Sequence, residues 1–198
     1  MATSNGLSPS PGATTEETPD LADVPEFMNN EQFWDIIERS VRATRADPEE
    51  QLAVLEDSLA ELPPKDVAEF HATFVAKAFE LYSWDLWGAV YVLYDGCSPD
   101  CFEYLRSWVV AQGKDYFEEV KSDPRALAQG RLSYAGESDF AELFAYTIED
   151  AYGRASGGGS LFEDYPHNPS TIARESPKGQ KWDEATVEQL FPDLRPLE

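Results

Sequence analysis

Two dipeptides, Asp47-Pro48 and Ser98-Pro99, constrain this chain's fold more than any other feature. Each sets a short oxygen-bearing side chain, able to accept from the free N–H groups of a first helical turn, one residue ahead of a proline whose fixed φ suits the first helical position. Behind Asp47, Glu50 stands at the third place, and Leu52, Leu55, Leu59 and Leu62 recur on one stripe. Pro63-Pro64 ends that helix, and Val67, Phe70, Phe74, Ala78 and Leu81 line the next one. Phe102, Leu105, Trp108 and Val109 follow Ser98-Pro99 with the same period. Asn29 and Gln32 pair as a capping signal ahead of Phe33, Ile37 and Val41. Trp84 to Tyr94, apolar nearly all round, continues the third helix as the most buried element and ends at Gly96. Gly113 ends the helix after Ser98. Tyr116, Phe117 and Val120 mark a shorter one, and Asp123-Pro124 opens a further turn or two before Gly130. A loop is expected over 131–138, then a last long core helix carrying Phe140, Leu143, Phe144, Ile148 and Ala151. No stretch alternates apolar and polar residues between turn signals, and no internal period recurs. The pattern predicts an all-α, single-domain helical bundle.

Its limits follow from composition. Residues 1–27 are rich in Ser, Thr, Pro and acids and contain no Lys or Arg, which predicts a disordered acidic tail. The helical core spans 28–155. Residues 156–198 begin with Ser156-Gly157-Gly158-Gly159-Ser160, expected to be a flexible joint, and continue as an extended arm. That arm ends in a short helix, with Asp183 as its cap and Trp182 and Val187 as a hydrophobic staple.

Charge excludes whole classes of function. The net charge is -23, from 38 acidic against 15 basic side chains, and only five of the acids lie in the tail. A surface this acidic repels phosphates, so direct nucleic-acid binding and an anionic membrane surface are excluded as readings. No apolar run reaches membrane-spanning length, and two cysteines make no disulfide framework, so a cytoplasmic location is expected.

The aromatic stripe Trp84, Trp87, Tyr91 and Tyr94 shares one helix face and is read as core packing. Around it, Asp85, Asp95 and Asp100 occur with no Lys or Arg between Ser83 and Cys101. Asp85 is read first as a helix first-turn residue, with a pocket carboxylate or a metal ligand as alternatives. Trp84, Asp85, Trp87, Ser98, Asp100 and Arg106 make up the candidate pocket at this helix junction. Cys97 and Cys101, four apart, lack the second ligand pair of a zinc site, and a disulfide across one helical turn is strained. Two reduced, mostly buried thiols are expected. His71 is read as a boundary residue on its helix, His167 as a loop residue, and Ser98 as a cap rather than a nucleophile. Glu142 and Glu149, with Tyr146 between them, are read as a solvated face. No catalytic residue, metal site or cofactor is assigned.

The run Trp84-Asp85-Leu86-Trp87-Gly88-Ala89, then Gly96-Cys97-Ser98, Asp100, Phe102, Tyr104, Arg106, Trp108, Gln112 and Gly113, resembles the bacterial domain-of-unknown-function family numbered forty-two forty. Phe33-Trp34, Asp123-Pro124 and a closing Gly179, Trp182, Phe191-Pro192 segment extend the resemblance from about Met28 to Leu194. It departs from the family's common pattern at Pro99 and Cys101, where Asp and Gly are usual. The resemblance implies a bacterial, intracellular helical domain and brings no reaction, cofactor or site residue with it.

The leading expectation is a non-enzymatic acidic module that binds a basic protein as an accessory or regulatory factor. The rival is a small enzyme or ligand binder using the candidate pocket. A nucleic-acid mimic would need its carboxylates in rows, and they are scattered over every helix.

Overall fold

The computed structural model describes residues 25–44, 47–129, 139–166 and 176–196. Most of the expected tail, the 131–138 loop, His167 and the side chains of Phe140 and Glu142 lie outside the described residues.

The helices are α1 (Asn30–Thr44), α2 (Pro48–Ala60), α3 (Pro64–Glu80), α4 (Trp84–Leu93), α5 (Pro99–Ala111), α6 (Lys114–Ser122), α7 (Asp139–Ser156), α8 (Leu161–Asp164) and α9 (Val187–Leu190), with a 3-10 turn at Pro124–Gln129. Among the described residues there is no strand, only an isolated parallel bridge between Ser83 and Lys178. The starts expected at Asn29, Asp47 and Ser98 hold at atomic detail. Asp47 accepts from the Glu50 N–H at 3.0 Å, and Ser98 accepts from the Cys101 N–H at 3.1 Å. Asn29 likewise accepts from Glu31 and Gln32.

α7 runs against α2, α3 and α5, while α1 closes over α2. Their facing stripes supply a core with Phe33, Phe70, Phe102, Phe117 and Phe144 fully buried. The buried Gln51 amide donates to the Ala111 carbonyl at 2.7 Å, tying α2 to the end of α5. On the surface, Arg154 of α7 reaches Glu56 and Asp57 of α2 at 2.8 and 2.9 Å.

Several expectations need correction. α4 does not continue α3, because Ser83 caps a new helix by accepting from the Leu86 N–H at 3.2 Å. As expected it is the most buried of the described helices by proportion: Leu86, Gly88, Ala89, Val90, Val92 and Leu93 are buried, Trp84, Trp87 and Tyr91 are half-buried, and within it Asp85 alone is exposed. The 156–160 stretch is an ordered reversal rather than a flexible joint. Its glycines supply the left-handed backbone that ends α7, with φ of 77° at Gly157 and 111° at Gly158, and Gly158 N–H returns to the Gly153 carbonyl at 2.8 Å. Ser160 then caps α8, and Leu161 is fully buried. Glu149, half-exposed beside exposed Tyr146, does more than face water: it accepts from the Leu161 N–H at 3.0 Å. Finally, His71 is buried rather than at the boundary, its ring edge-on to Phe162 at 5.8 Å.

The described arm, 176–196, belongs to the same core. Lys178 exchanges backbone hydrogen bonds with Tyr82 and Trp84, both at 2.9 Å, and Val187, Phe191 and Leu194 are buried in the main cluster. Asp183 does not cap α9. It forms an Asx turn to the Ala185 N–H at 2.8 Å, the cap position falls to Thr186, and Trp182 packs on α4 instead of stapling to Val187.

Glu80, at the end of α3, is held between Lys77 at 2.7 Å and Lys121 of α6. Burial pushes its pKa up, but hydrogen bonds from Lys121 and Lys77 outweigh that and hold it below the usual glutamate range. Because the folded pKa is depressed, this contribution is complete above the unfolded value of about 4.3 and is lost as pH falls through the folded one. Denaturant titrations of the native chain and Glu80→Gln are therefore expected to differ at pH 7 and converge below about pH 4. A difference that persists undiminished at pH 3 would contradict this account.

Candidate functional site

The C-terminal end of α4 and the first turn of α5 meet at one corner, joined by a reversal in which Asp95 (φ 53°) and Gly96 (φ 124°) take left-handed backbone. Cys97 and Cys101 are joined there by a disulfide, with 5.5 Å between their Cα atoms, so the expectation of reduced thiols is overturned. The physical reason is that Cys97 precedes the Ser98 cap and has non-helical backbone, so the pair does not span a helical turn. The Cys97 carbonyl accepts from the Trp87 indole N–H at 3.0 Å, which fixes that ring against the corner.

From Trp87 the rings run as a ladder. Trp84 and Trp87 lie parallel within 2° at 5.2 Å, Trp87 and Phe102 stack at 5.0 Å, and Phe102 and Tyr82 follow at 6.0 Å. The Arg106 guanidinium sits 4.6 Å over Tyr82 and 5.1 Å over Phe102, buried, and donates to the Ala78 carbonyl at 3.0 Å. Trp182 of the arm stands at right angles to both Trp84 and Trp87 and donates its indole N–H to the Trp84 carbonyl at 2.8 Å. It can approach so closely because residue 88 is glycine: a Cβ there would lie 2.8 Å from Phe191 and 3.0 Å from the Trp182 indole nitrogen.

Trp87 separates two concavities. The inner cleft, about 120 Å³, is lined by Phe74, Phe79, Tyr82, Trp87, Arg106 and neighbours. The outer groove, about 580 Å³, lies between Trp84, Trp87, Tyr91 and Ser98 on one side and Lys181, Trp182, Asp183 and Glu184 of the arm on the other. Of the candidate residues, Trp84, Trp87 and Ser98 line the outer groove, and Trp87 and Arg106 line the inner cleft. Asp85 and Asp100 line neither. Both occupy the second position of their helices and are exposed, where a carboxylate complements the helix dipole. The arm residues of the groove were absent from the sequence-derived pocket. The signal that points to them is Gly88, a residue that weakens a helix interior unless something must come close.

Electrostatically the groove is acidic at its lip. The Tyr91 phenol is pushed up from its ordinary pKa by desolvation first, then by the Glu184 and Asp95 carboxylates and a hydrogen bond to Glu184. It is therefore neutral at physiological pH. Lys181 places its ammonium 5.4 Å over the Trp84 ring. Among the described residues no group of three His, Cys, Asp or Glu side chains is placed to hold a metal ion. No described helix is long and apolar enough to cross a membrane.

Residues 28–154 match the model of a family described as a protein of unknown function, DUF4240. The chain belongs to that family. No curated protein and no solved structure matches it. The DUF4240 match contains α4, α5, the disulfide corner between them and the ring ladder, and it stops short of the arm. The outer groove is thus half DUF4240 domain and half C-terminal arm, the two halves held together by Trp182 against Gly88.

Proposed function

We propose that this protein is a non-enzymatic, acidic binding module that engages a basic protein partner as an accessory or regulatory factor, docking it over the outer groove. The observation that carries this reading is the combination of four aromatic rings, Trp84, Trp87, Tyr91 and Trp182, with Asp183 and Glu184 in one groove. A lysine or arginine side chain has an apolar stem and a cationic head, so it needs both kinds of surface at once. Exposed Asp85, Asp95 and Asp100 lie on the elements that bound the groove, and the net charge of -23 draws a cationic partner in and orients it.

Charge alone would attract a polycation to any acidic protein, so the test must separate groove from field. A lysine-rich peptide titrated into the full chain is expected to bind with an affinity that falls at least tenfold between low and moderate salt. Trp84→Ala leaves the net charge and the Trp84 backbone bonds in place, yet is expected to weaken binding about 5- to 30-fold by removing a ring face. If Trp84→Ala binds as the native chain does, or if salt has no effect, this reading fails.

A second reading places a small anionic ligand in the inner cleft, and its motive is the Arg106 guanidinium on that cleft's wall. It would be favoured if a small carboxylate raised the melting temperature of the native chain but not of Arg106→Met.

A further inference from the structure

We propose that the Trp84 ring is a docking face for a lysine ammonium, and that the free protein fills it with its own Lys181, which a partner's lysine displaces. This rests on the reading above and names both the recognised group and the device that limits its binding.

Three observations converge. The Lys181 ammonium lies 5.4 Å over the Trp84 ring, inside the groove that the partner is to occupy. Among the described residues it makes no ion pair with a carboxylate, although Asp183 and Glu184 stand two and three places along the same segment. The position is enforced by its neighbours: Lys178 is bonded to the Tyr82 and Trp84 backbone, and Trp182 to the Trp84 carbonyl at 2.8 Å. Lys181 is therefore delivered to the ring by contacts on either side of it, as a tethered ligand with a high local concentration.

Exposure decides which lysine wins. Lys181 is exposed and Trp84 half-buried, so the internal contact is made at a wet rim, where a cation over a ring gains least. A partner's lysine, covered by the rest of the interface, makes the same contact with water excluded and gains more. Exchange of one for the other is then downhill, while the internal lysine lowers apparent affinity by the fraction of time it holds the ring. The same occupancy screens an aromatic surface that would otherwise face solvent.

The experiment compares Lys181→Met, Lys178→Met and the native full chain against the lysine-rich peptide. Both variants remove one positive charge from the same arm segment, but only the first removes the ammonium over Trp84. Lys181→Met is expected to bind two- to fivefold more tightly than Lys178→Met. In the native chain, the Lys181 ε-methylene protons are expected to show an upfield ring-current shift that disappears at saturating peptide. Equal affinities for the two variants, or a Lys181 shift that persists in the saturated complex, overturn the proposal. The two failures are distinguishable: if Trp84→Ala weakens binding while Lys181→Met does nothing beyond Lys178→Met, the groove stands and the internal ligand falls. If Trp84→Ala has no effect, the function itself falls.

Discussion

Gly88→Leu is expected to lift the C-terminal arm off the domain. Even a bare Cβ at position 88 would sit 2.8 Å from a Phe191 ring carbon and about as close to the Trp182 indole, and three further carbons cannot be placed there. Neither neighbour can yield by a rotamer change alone. Phe191 is 5% exposed inside the core, and Trp182 would have to give up its bond to the Trp84 carbonyl. Overpacking of this kind costs about 1–3 kcal/mol where the structure can adjust. Here the cheaper response is release of the whole segment that carries Lys178, Trp182, Val187 and Phe191. The expected result is a melting temperature lower by roughly 5–10 °C, together with tryptic cleavage after Lys178 and Lys181 faster than in the native chain. The sign is informative, because a glycine in a helix interior costs about 1 kcal/mol relative to alanine. Were the arm not docked, replacing Gly88 would raise stability. A variant as stable and as trypsin-resistant as the native chain would mean that the arm does not lie against α4.

That docking also marks the boundary of what the sequence reveals. The starts of α2 and α5 are legible because cap and proline act on the next turn and on nothing else. The start of α4 is harder to read: Ser83 sits between apolar stretches with no proline after it, so the helical period runs on from α3 through Leu81. The disulfide is missed for a similar reason. Spacing four suggests one helical turn, and only the backbone of Cys97, outside the cap, brings the two sulfurs into bonding range. The groove is half legible. Trp84, Trp87 and Ser98 stand close together in sequence, whereas Lys181 to Glu184 reach them from more than 80 residues away. Choosing Asp85 and Asp100 by charge misleads, since a carboxylate in a first helical turn is there for the free N–H groups and faces outward. Trp182 is visible in the sequence as an aromatic beside Asp183, and the nearest partner that sequence offers it is a local staple to Val187. Its true partners are supplied by tertiary structure, and the midhelix glycine is the one local sign of them.

Phe102→Ala is expected to be the most damaging single truncation near the groove, and its effect should reach further than its own side chain. Phe102 is fully buried, so the lost transfer energy and the cavity together cost about 3–5 kcal/mol. It is also the middle rung of the ladder, with Trp87 stacked at 5.0 Å on it, Tyr82 at 6.0 Å and the Arg106 guanidinium at 5.1 Å. Removing the ring joins the inner cleft to the space it vacates and leaves Trp87 without its stacking partner on the core side, braced by its bond to the Cys97 carbonyl and by the Trp84 and Trp182 rings. Phe102→Leu keeps most of the volume and none of the stacking, so it separates the two contributions. Denaturant titration should rank native above Phe102→Leu above Phe102→Ala. Near-UV circular dichroism, which reports the fixed orientation of the tryptophans, should weaken in both variants. Peptide affinity should then follow the dichroism rather than the stability, because the groove needs Trp87 held in place and not merely a folded chain. If Phe102→Leu loses stability but keeps the native tryptophan signal, the ladder contributes packing only, and the groove is set by the arm and the disulfide corner.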